Sequence, residues 1–355
     1  MDRDGTTAPP ADRPGRPIPG GLHGHVRATL LAGLVLTACG ESGGTRPPEP
    51  APAGAVSFAV FGDGPYDRSA ERRVDLLLRD VAEASPDFFL HVGDIDTNTC
   101  TDASYERRRR QLESLPESVP VVYTPGDNEW TDCTGTRMDP LERLTSLRRV
   151  FFTGEWAERN RRLPGLVSQD SVDGLPYPEH VRFEVGPVVV ATAHIVGSRN
   201  GMRRFRGRTA AHDSAVEART AAALAWIRSA FDRARAVASP VLVVAFHGAP
   251  FRDPEFAPLR ATLAREAAAY DGRVLLAHGD FHDYTFDRPL TDPTTGATVE
   301  NVTRLETFGD PDVGWVHVIV DTAAAEPIAV RPYRCGGRWR AALGVALPEH
   351  CGLMR

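Results

Sequence analysis

Five apolar runs, each ending in a polar cluster, constrain this chain more than any other feature. They are Phe58-Ala59-Val60-Phe61 before Gly62-Asp63-Gly64, Phe88-Phe89-Leu90 before His91-Val92-Gly93-Asp94-Ile95-Asp96, and Val121-Val122-Tyr123 before Thr124-Pro125-Gly126-Asp127-Asn128-Glu129. The fourth and fifth are Val241 to Phe246 before His247, and Val274-Leu275-Leu276-Ala277 before His278-Gly279-Asp280-Phe281-His282. Short apolar runs bounded by Gly, Pro or Asp read as buried strands. In open α/β sheets the loops that follow the strands carry the chemistry. A single Asp after a strand is ordinary turn or cap chemistry. Five strand ends delivering Asp, Asp, Asp/Asn, His and Asp/His have the donor composition of a metal site.

Segments of helical period lie between these runs. Val74, Leu77, Leu78 and Val81 predict a helix over 69–83, and Leu141, Leu144, Leu147 and Val150 one over 140–152. A helix over 103–114 carries Arg107–Arg110, which fan around the axis and read as a solvated face. Further helices are expected over 211–236 and 258–270, while 154–180 reads as irregular. Two strands, 181–185 and 188–195, meet at Gly186-Pro187, with His194 read as a hydrogen-bonded strand residue and not a ligand. The loop 196–208 offers Arg199 and Arg203 as substrate-binding candidates, an even match with solvated loop charge. Segments 300–308, 315–320 and 329–333 read as antiparallel strands closing a second sheet. Strands alternating with helices make the chain α/β.

The first part of the chain has a different character. Residues 1–24 are rich in Gly, Pro and Arg, then Arg27 precedes an apolar stretch, Ala28 to Leu36, too short to span a bilayer. Leu36-Thr37-Ala38-Cys39-Gly40 follows, and its pattern resembles the lipobox of bacterial lipoproteins. That resemblance implies cleavage before Cys39, lipidation of its thiol, and a protein anchored to the outer face of the cytoplasmic membrane or elsewhere in the cell envelope. The expected organisation is 1–38 as disordered N-terminus plus signal peptide, 39–54 as a flexible Gly/Pro linker, and 55–355 as one domain. Four cysteines remain, and an even number in an exported chain favours disulfides. Nearness in sequence pairs Cys100 with Cys133 and Cys335 with Cys351; zinc binding by these four lacks any Cys-x-x-Cys spacing.

Net charge is −6, which gives no footing for nucleic acid held by bulk charge. All 41 basic residues are arginine, so any cationic contact to an anionic substrate must come from Arg.

Taken in order, the strand-end segments resemble those of the calcineurin-like metallophosphoesterase superfamily, across nearly all of residues 55–320. Asp63-Gly64-Pro65 stands where that family has Asp-x-His, Gly93-Asp94-Ile95-Asp96 resembles Gly-Asp-x-x-Asp, and Gly126-Asp127-Asn128-Glu129 resembles Gly-Asn-His-Asp/Glu. His247 corresponds to the lone His, and Gly279-Asp280-Phe281-His282 to Gly-His-x-His. The third and fifth segments look like a bacterial subgroup with acidic replacements.

The resemblance implies a sandwich of two mixed β-sheets flanked by helices, with the metal site at the strands' C-terminal ends. It implies two divalent ions sharing Asp94, the first site completed by Asp63 and His282 and the second by Asp127, His247 and Asp280. A metal-bound hydroxide would attack phosphorus in line, with Asp94, His247 and Asn128 as catalytic candidates and a small phosphorylated molecule as substrate. Mn, Fe, Zn, Mg and Ca are all in the family's range; the carboxylate-rich second site favours Mn, Mg or Ca.

The departures are specific. Pro65 offers no ligand, and Tyr66, Asp67 and Asp96 stand open as replacements. Asn128 cannot supply a proton to a leaving group at neutral pH, which predicts slow turnover of esters with poor leaving groups. A second functional class follows from the same departures, a non-catalytic envelope lipoprotein using the fold to bind a ligand or partner. A Ser-His-Asp hydrolase finds no Gly-x-Ser-x-Gly elbow.

Overall fold

Strands covered on both faces are apolar along their whole length, and this explains why the runs read as continuous rather than alternating. In the computed structural model, which describes residues 46–354 except 98, 161, 252 and 337–346, β1 (Val56–Phe61), β2 (Phe88–His91) and β3 (Val121–Tyr123) lie parallel and adjacent. The second sheet is built from β4 (Val167–Ser168), β5 (Val181–Val185), β6 (Val188–Thr192), β7 (Val241–Ala245), β8 (Arg273–His278), β9 (Thr285–Asp287) and β10 (Val302–Glu306), in the order β4-β5-β6-β7-β8-β10-β9. Within it β6, β7, β8 and β10 are parallel. The chain then returns to the first sheet as β11 (Gly314–Val320), β12 (Ile328–Arg334) and β13 (Gly352–Leu353), giving the order β13-β12-β11-β1-β2-β3.

Side-chain alternation sorts three cores. Val56, Phe58 and Val60 of β1 point between the sheets and meet Val188, Val190, Val241, Val243 and Leu275 of the other sheet. Ala59 and Phe61 point the other way, onto the stripe Val74, Leu77, Val81 of α1 (Arg68–Ala84) and Leu147, Phe151 of α3 (Pro140–Phe151). The outer face of the second sheet packs on α7 (Ala210–Ala236) and α8 (Ala257–Ala268) through Ile227, Phe231 and Leu263. Each fully buried Leu, Val or Phe contributes roughly 1.5–3 kcal/mol of transfer free energy. The remaining helices are α2 (Asp102–Leu112), α4 (Gly154–Asn160), α5 (Gln169–Val172) and the one-turn α6 (Gly197–Asn200). All described residues belong to one compact unit, and among them no helix is long and apolar enough to cross a membrane. The expected signal segment and Cys39 lie outside the described residues.

The two mixed sheets with flanking helices agree with the sequence reading, and so do both cysteine pairings, Cys100–Cys133 and Cys335–Cys351. Three details differ. Segment 300–308 holds a strand parallel to β8, not an antiparallel one, because the chain between them makes the β9 excursion and returns to run the same way. Segments 315–320 and 329–333 are antiparallel as expected, but they extend the first sheet beside β1. The stretch 154–180, read as irregular, contains α4, β4 and α5. Apolar alternation does not specify which way a neighbouring strand runs, and α4 and α5 are too short to show a period.

Candidate metal centre

Because β1, β2, β3, β7 and β8 run in the same sense within their sheets, their C-terminal ends open on one crevice. After β1, β2 and β8 the backbone turns back into it within a few residues. Asp63, Asp94 and Asp280 have φ of 54°, 55° and 88°, and His282 has 67°. Left-handed backbone outside glycine costs on the order of 1–3 kcal/mol per residue, and Asp tolerates it best. Here it aims the carboxylates inward. Backbone amides brace them: Asp280 N–H donates to Asp63 Oδ1 at 3.0 Å, Asn128 N–H to Asp94 Oδ1 at 3.0 Å, and Ala249 N–H to Asp280 Oδ2 at 2.8 Å. Two glycines are dictated by this crowding. A Cβ on Gly126 would lie 2.1 Å from Asp94 Oδ1, and one on Gly197 would lie 2.3 Å from Asp280 Oδ1 and 2.6 Å from Asp127 Oδ1.

Two donor groups form, Asp63 with Asp94 and His247, and Asp127 with His247 and Asp280, each with ligand atoms within 4.8 Å of one another. His247 therefore reaches both groups, where the sequence reading placed it in the second alone. Its Nδ1 lies 2.9 Å from the Val92 carbonyl, which can only accept, so Nδ1 donates and Nε2 faces the carboxylates. Nε2 stands 2.9 Å from Asp127 Oδ1 and 3.3 Å from Asp94 Oδ1. His282 is oriented the same way: Nδ1 contacts the Asp310 carbonyl at 2.6 Å and Nε2 lies 3.5 Å from Asp63 Oδ1.

Electrostatically the crevice favours added positive charge. Burial pushes the Asp63 and Asp94 carboxyls above their usual range despite His247, Asp94 well above it, and Asp280 up to about 6. Burial alone would do the same to Asp127, but His247 outweighs it and lowers that carboxyl. Burial also disfavours the His247 imidazolium, yet Asp94, Asp127 and Asp63 prevail and hold its pKa well above normal. Asp63 Oδ2 is buried without a hydrogen-bond partner, while Asp127 Oδ1 and His247 Nε2 have only each other and Asp94 to face. An ion in the crevice would complete these donors. Oxygen donors with one or two imidazoles fit hard to borderline divalent cations.

The other candidates sort cleanly. Tyr66 enters the site, its hydroxyl donating to Asp94 Oδ2 at 2.9 Å and accepting from Asn128 Nδ2 at 3.0 Å. Asp67 instead caps α1 by accepting from Ala70 N–H, and Asp96 turns away toward Arg107 and Arg108. The run Arg107–Arg110 is only partly a solvated face, because Arg108 is buried and paired with Glu71. Arg199 and Arg203 stand at the rim, each already facing a carboxylate, Glu255 and Asp132 respectively. His194 is a buried partner of Glu179, and His278 packs on Phe246 with Nδ1 on the Gly279 carbonyl. Glu129 accepts from Ile95 N–H and Tyr123 and props the loop beside Asp94.

One contributor escaped sequence reasoning. Beyond β10 comes Gly309-Asp310, a fifth Gly-Asp after a parallel strand, whose backbone holds Asp63 and His282. The signal was present, but reading β10 as antiparallel concealed it.

Comparison with known proteins bears on this arrangement. A dimetal phosphatase from Danio rerio has a TM-score of 0.50 with this chain at 10% identity, over 79% of this chain and 96% of that one. A purple acid phosphatase from yellow lupin (Lupinus luteus) gives 0.49 at 14% identity, over 81% and 52%. A calcineurin-like phosphoesterase from Bacillus subtilis gives 0.42 at 10%, over 78% and 88%. At 10% identity the likeness to the first of these speaks to the fold alone. The family model described as calcineurin-like phosphoesterase matches residues 57–284, more than half of the 355 residues, and takes in the five strand ends that carry the donor residues. The chain belongs to the calcineurin-like phosphoesterase family.

Proposed function

We propose that this metal-dependent phosphoesterase works outside the cytoplasm, tethered to the membrane through a lipid on Cys39, and that it favours esters with good leaving groups. The chain's own residues would hold one divalent ion between Asp63, Asp94 and His282, and a second between Asp94, Asp127, His247 and Asp280. Such ions supply a nucleophile at neutral pH and neutralise charge developing on the phosphoryl oxygens. The observation that carries this reading is the convergence of buried donors in two groups that share His247, Asp63 with Asp94 and Asp127 with Asp280, each with ligand atoms within 4.8 Å of one another.

Each residue has a task derivable from its contacts. Asp94 is fixed at both oxygens, by Asn128 N–H and Tyr66 O–H, so its orientation is set before substrate arrives. Asn128 spends one amide hydrogen on Tyr66 and keeps another for a phosphoryl oxygen. It carries no exchangeable acid proton for the leaving group, which is the basis of the leaving-group preference. Arg203, exposed at the rim beside Asp132, attracts anions to the crevice mouth.

One experiment tests activity and location together. Membranes from cells making the full chain are assayed with manganese on p-nitrophenyl and phenyl phosphate, alongside Asp94→Asn and Cys39→Ser. The expected result is membrane-bound activity, faster on the activated ester by about 10²-fold or more. Asp94→Asn should lower it by about 10²–10³-fold or more, and Cys39→Ser should release it in soluble form. Equal rates on the two esters, or activity that survives Asp94→Asn, contradicts the chemistry; activity that never sediments contradicts the anchor.

A further inference from the structure

We propose that Tyr66 is a positioning residue that clamps the shared carboxylate Asp94 and orients Asn128, and that it does not replace the ligand missing at Pro65. This inference rests on the metal-site reading above and sharpens it.

Three residues near Pro65 could have filled the gap, and two are committed elsewhere, Asp67 to the α1 cap and Asp96 to the arginines of α2. Tyr66 alone reaches the centre, its ring 5.6 Å from that of His282. Whether it is a ligand is decided by its hydrogen bonds. A tyrosine that ligates a metal gives up its hydroxyl hydrogen. Tyr66 spends that hydrogen on Asp94. Its oxygen donates to Asp94 Oδ2 and accepts from Asn128 Nδ2, so it is satisfied by the protein alone.

The clamp has a second arm. Asn128 N–H holds the other oxygen of Asp94 while the Asn128 side chain is held by Tyr66, which closes a loop of three hydrogen bonds between 2.9 and 3.0 Å. Rotating Asp94 about its carboxyl axis would break two of them. The protein donors left to the first metal site are then Asp63, Asp94 and His282, with His247 within reach of the same group. Groups behind a metal ligand that fix its orientation are commonly worth about 10–100-fold in affinity or activity.

The test measures Mn²⁺ binding by calorimetric titration of the purified wild-type protein, Tyr66→Phe, Asn128→Ala and the double variant, with kcat and KM on p-nitrophenyl phosphate as a second readout. Tyr66→Phe should keep the wild-type stoichiometry at saturating Mn²⁺, bind it about 10–100-fold more weakly and lose kcat more than KM. The double variant should be little worse than the poorer single one, because both changes open the same loop. Loss of one Mn²⁺ equivalent in Tyr66→Phe would overturn the proposal by making the tyrosine a ligand. Affinity and kcat both within about threefold of wild type would overturn it by making the clamp idle. A wild-type protein that takes up no Mn²⁺ would sink the metal-site reading and this inference with it, an outcome visible before any variant is compared.

Discussion

Two buried charged clusters lie on either side of the loop that follows β6, and they are built on opposite rules. In one, Glu179 is fully buried between the Arg148 guanidinium, 3.0 Å from its Nε, and His194 Nδ1 at 2.7 Å. Arg219, also buried, donates to the carbonyls of His194 and Asn200 and lies over the Trp130 ring. In the other, Asp63, Asp94, Asp127 and Asp280 face His247 and His282, with no arginine paired to them among the described residues. Burial raises the Glu179 carboxyl, but His194 and Arg148 outweigh it and hold it far below its usual range, whereas burial drives Asp63, Asp94 and Asp280 up. The first cluster carries its own countercharge and is structural. The second sets only His247 and His282 against four carboxylates, too little countercharge to balance them, and is a binding site. A buried charge locates function when the protein has not neutralised it.

Substitutions can break this contrast. Removing the charge from the balanced cluster with Glu179→Gln should be costly, about 3–5 kcal/mol in denaturant unfolding, because Arg148 is left without its partner. Asp280→Asn in the unbalanced cluster should have the opposite sign in chelated protein, a gain of about 1 kcal/mol, while weakening Mn²⁺ binding. If both variants lose stability alike, the distinction between the clusters fails.

A gentler probe is pH. Burial lowers His180 from 6.5 to about 3 and His194 to about 4. A group whose folded pKa is depressed binds fewer protons in the native state, so the stability it contributes is present above pH 6.5 and lost as pH falls toward 4. Each histidine adds up to about 1.4 kcal/mol per pH unit in that window. In chelated protein the raised carboxyls of Asp63, Asp94 and Asp280 act in the opposite sense over this window, so the readout is a difference between proteins: relative to wild type, His180→Gln should make the stability change from pH 6.5 to 4.5 less unfavourable by up to one such share. An unchanged slope would mean His180 is protonated or exposed in the fold.

Most of the fold and the donor set was legible in the sequence for a physical reason. Parallel strands covered on both faces produce unbroken apolar runs, and the crevice at their C-terminal ends demands polar residues directly after them. Asp63, Asp94, Asp127, His247, Asp280 and His282 were found that way, and the structure brings all six to one crevice. Strand direction was not legible, because alternation is the same in either sense, and the error at β10 hid Gly309-Asp310. Nor could the sequence choose among Tyr66, Asp67 and Asp96. Their fates turn on the cap of α1 and on arginines 11 and 12 residues beyond Asp96, and neither contact leaves a trace in spacing. The Arg148–Glu179–His194 cluster joins a residue of α3 to residues of two separate loops and shows no local pattern at all.

The contrast rests finally on whether the unbalanced cluster takes up cations. Equilibrium dialysis of the purified chain against Mn²⁺, with elemental analysis of the retained metal, measures this directly. About two equivalents per chain, reduced in Asp94→Asn but unchanged in Glu179→Gln, is the result expected of a shared-carboxylate centre. No stoichiometric uptake of Mn²⁺, and none when Zn²⁺ is offered instead, would contradict it.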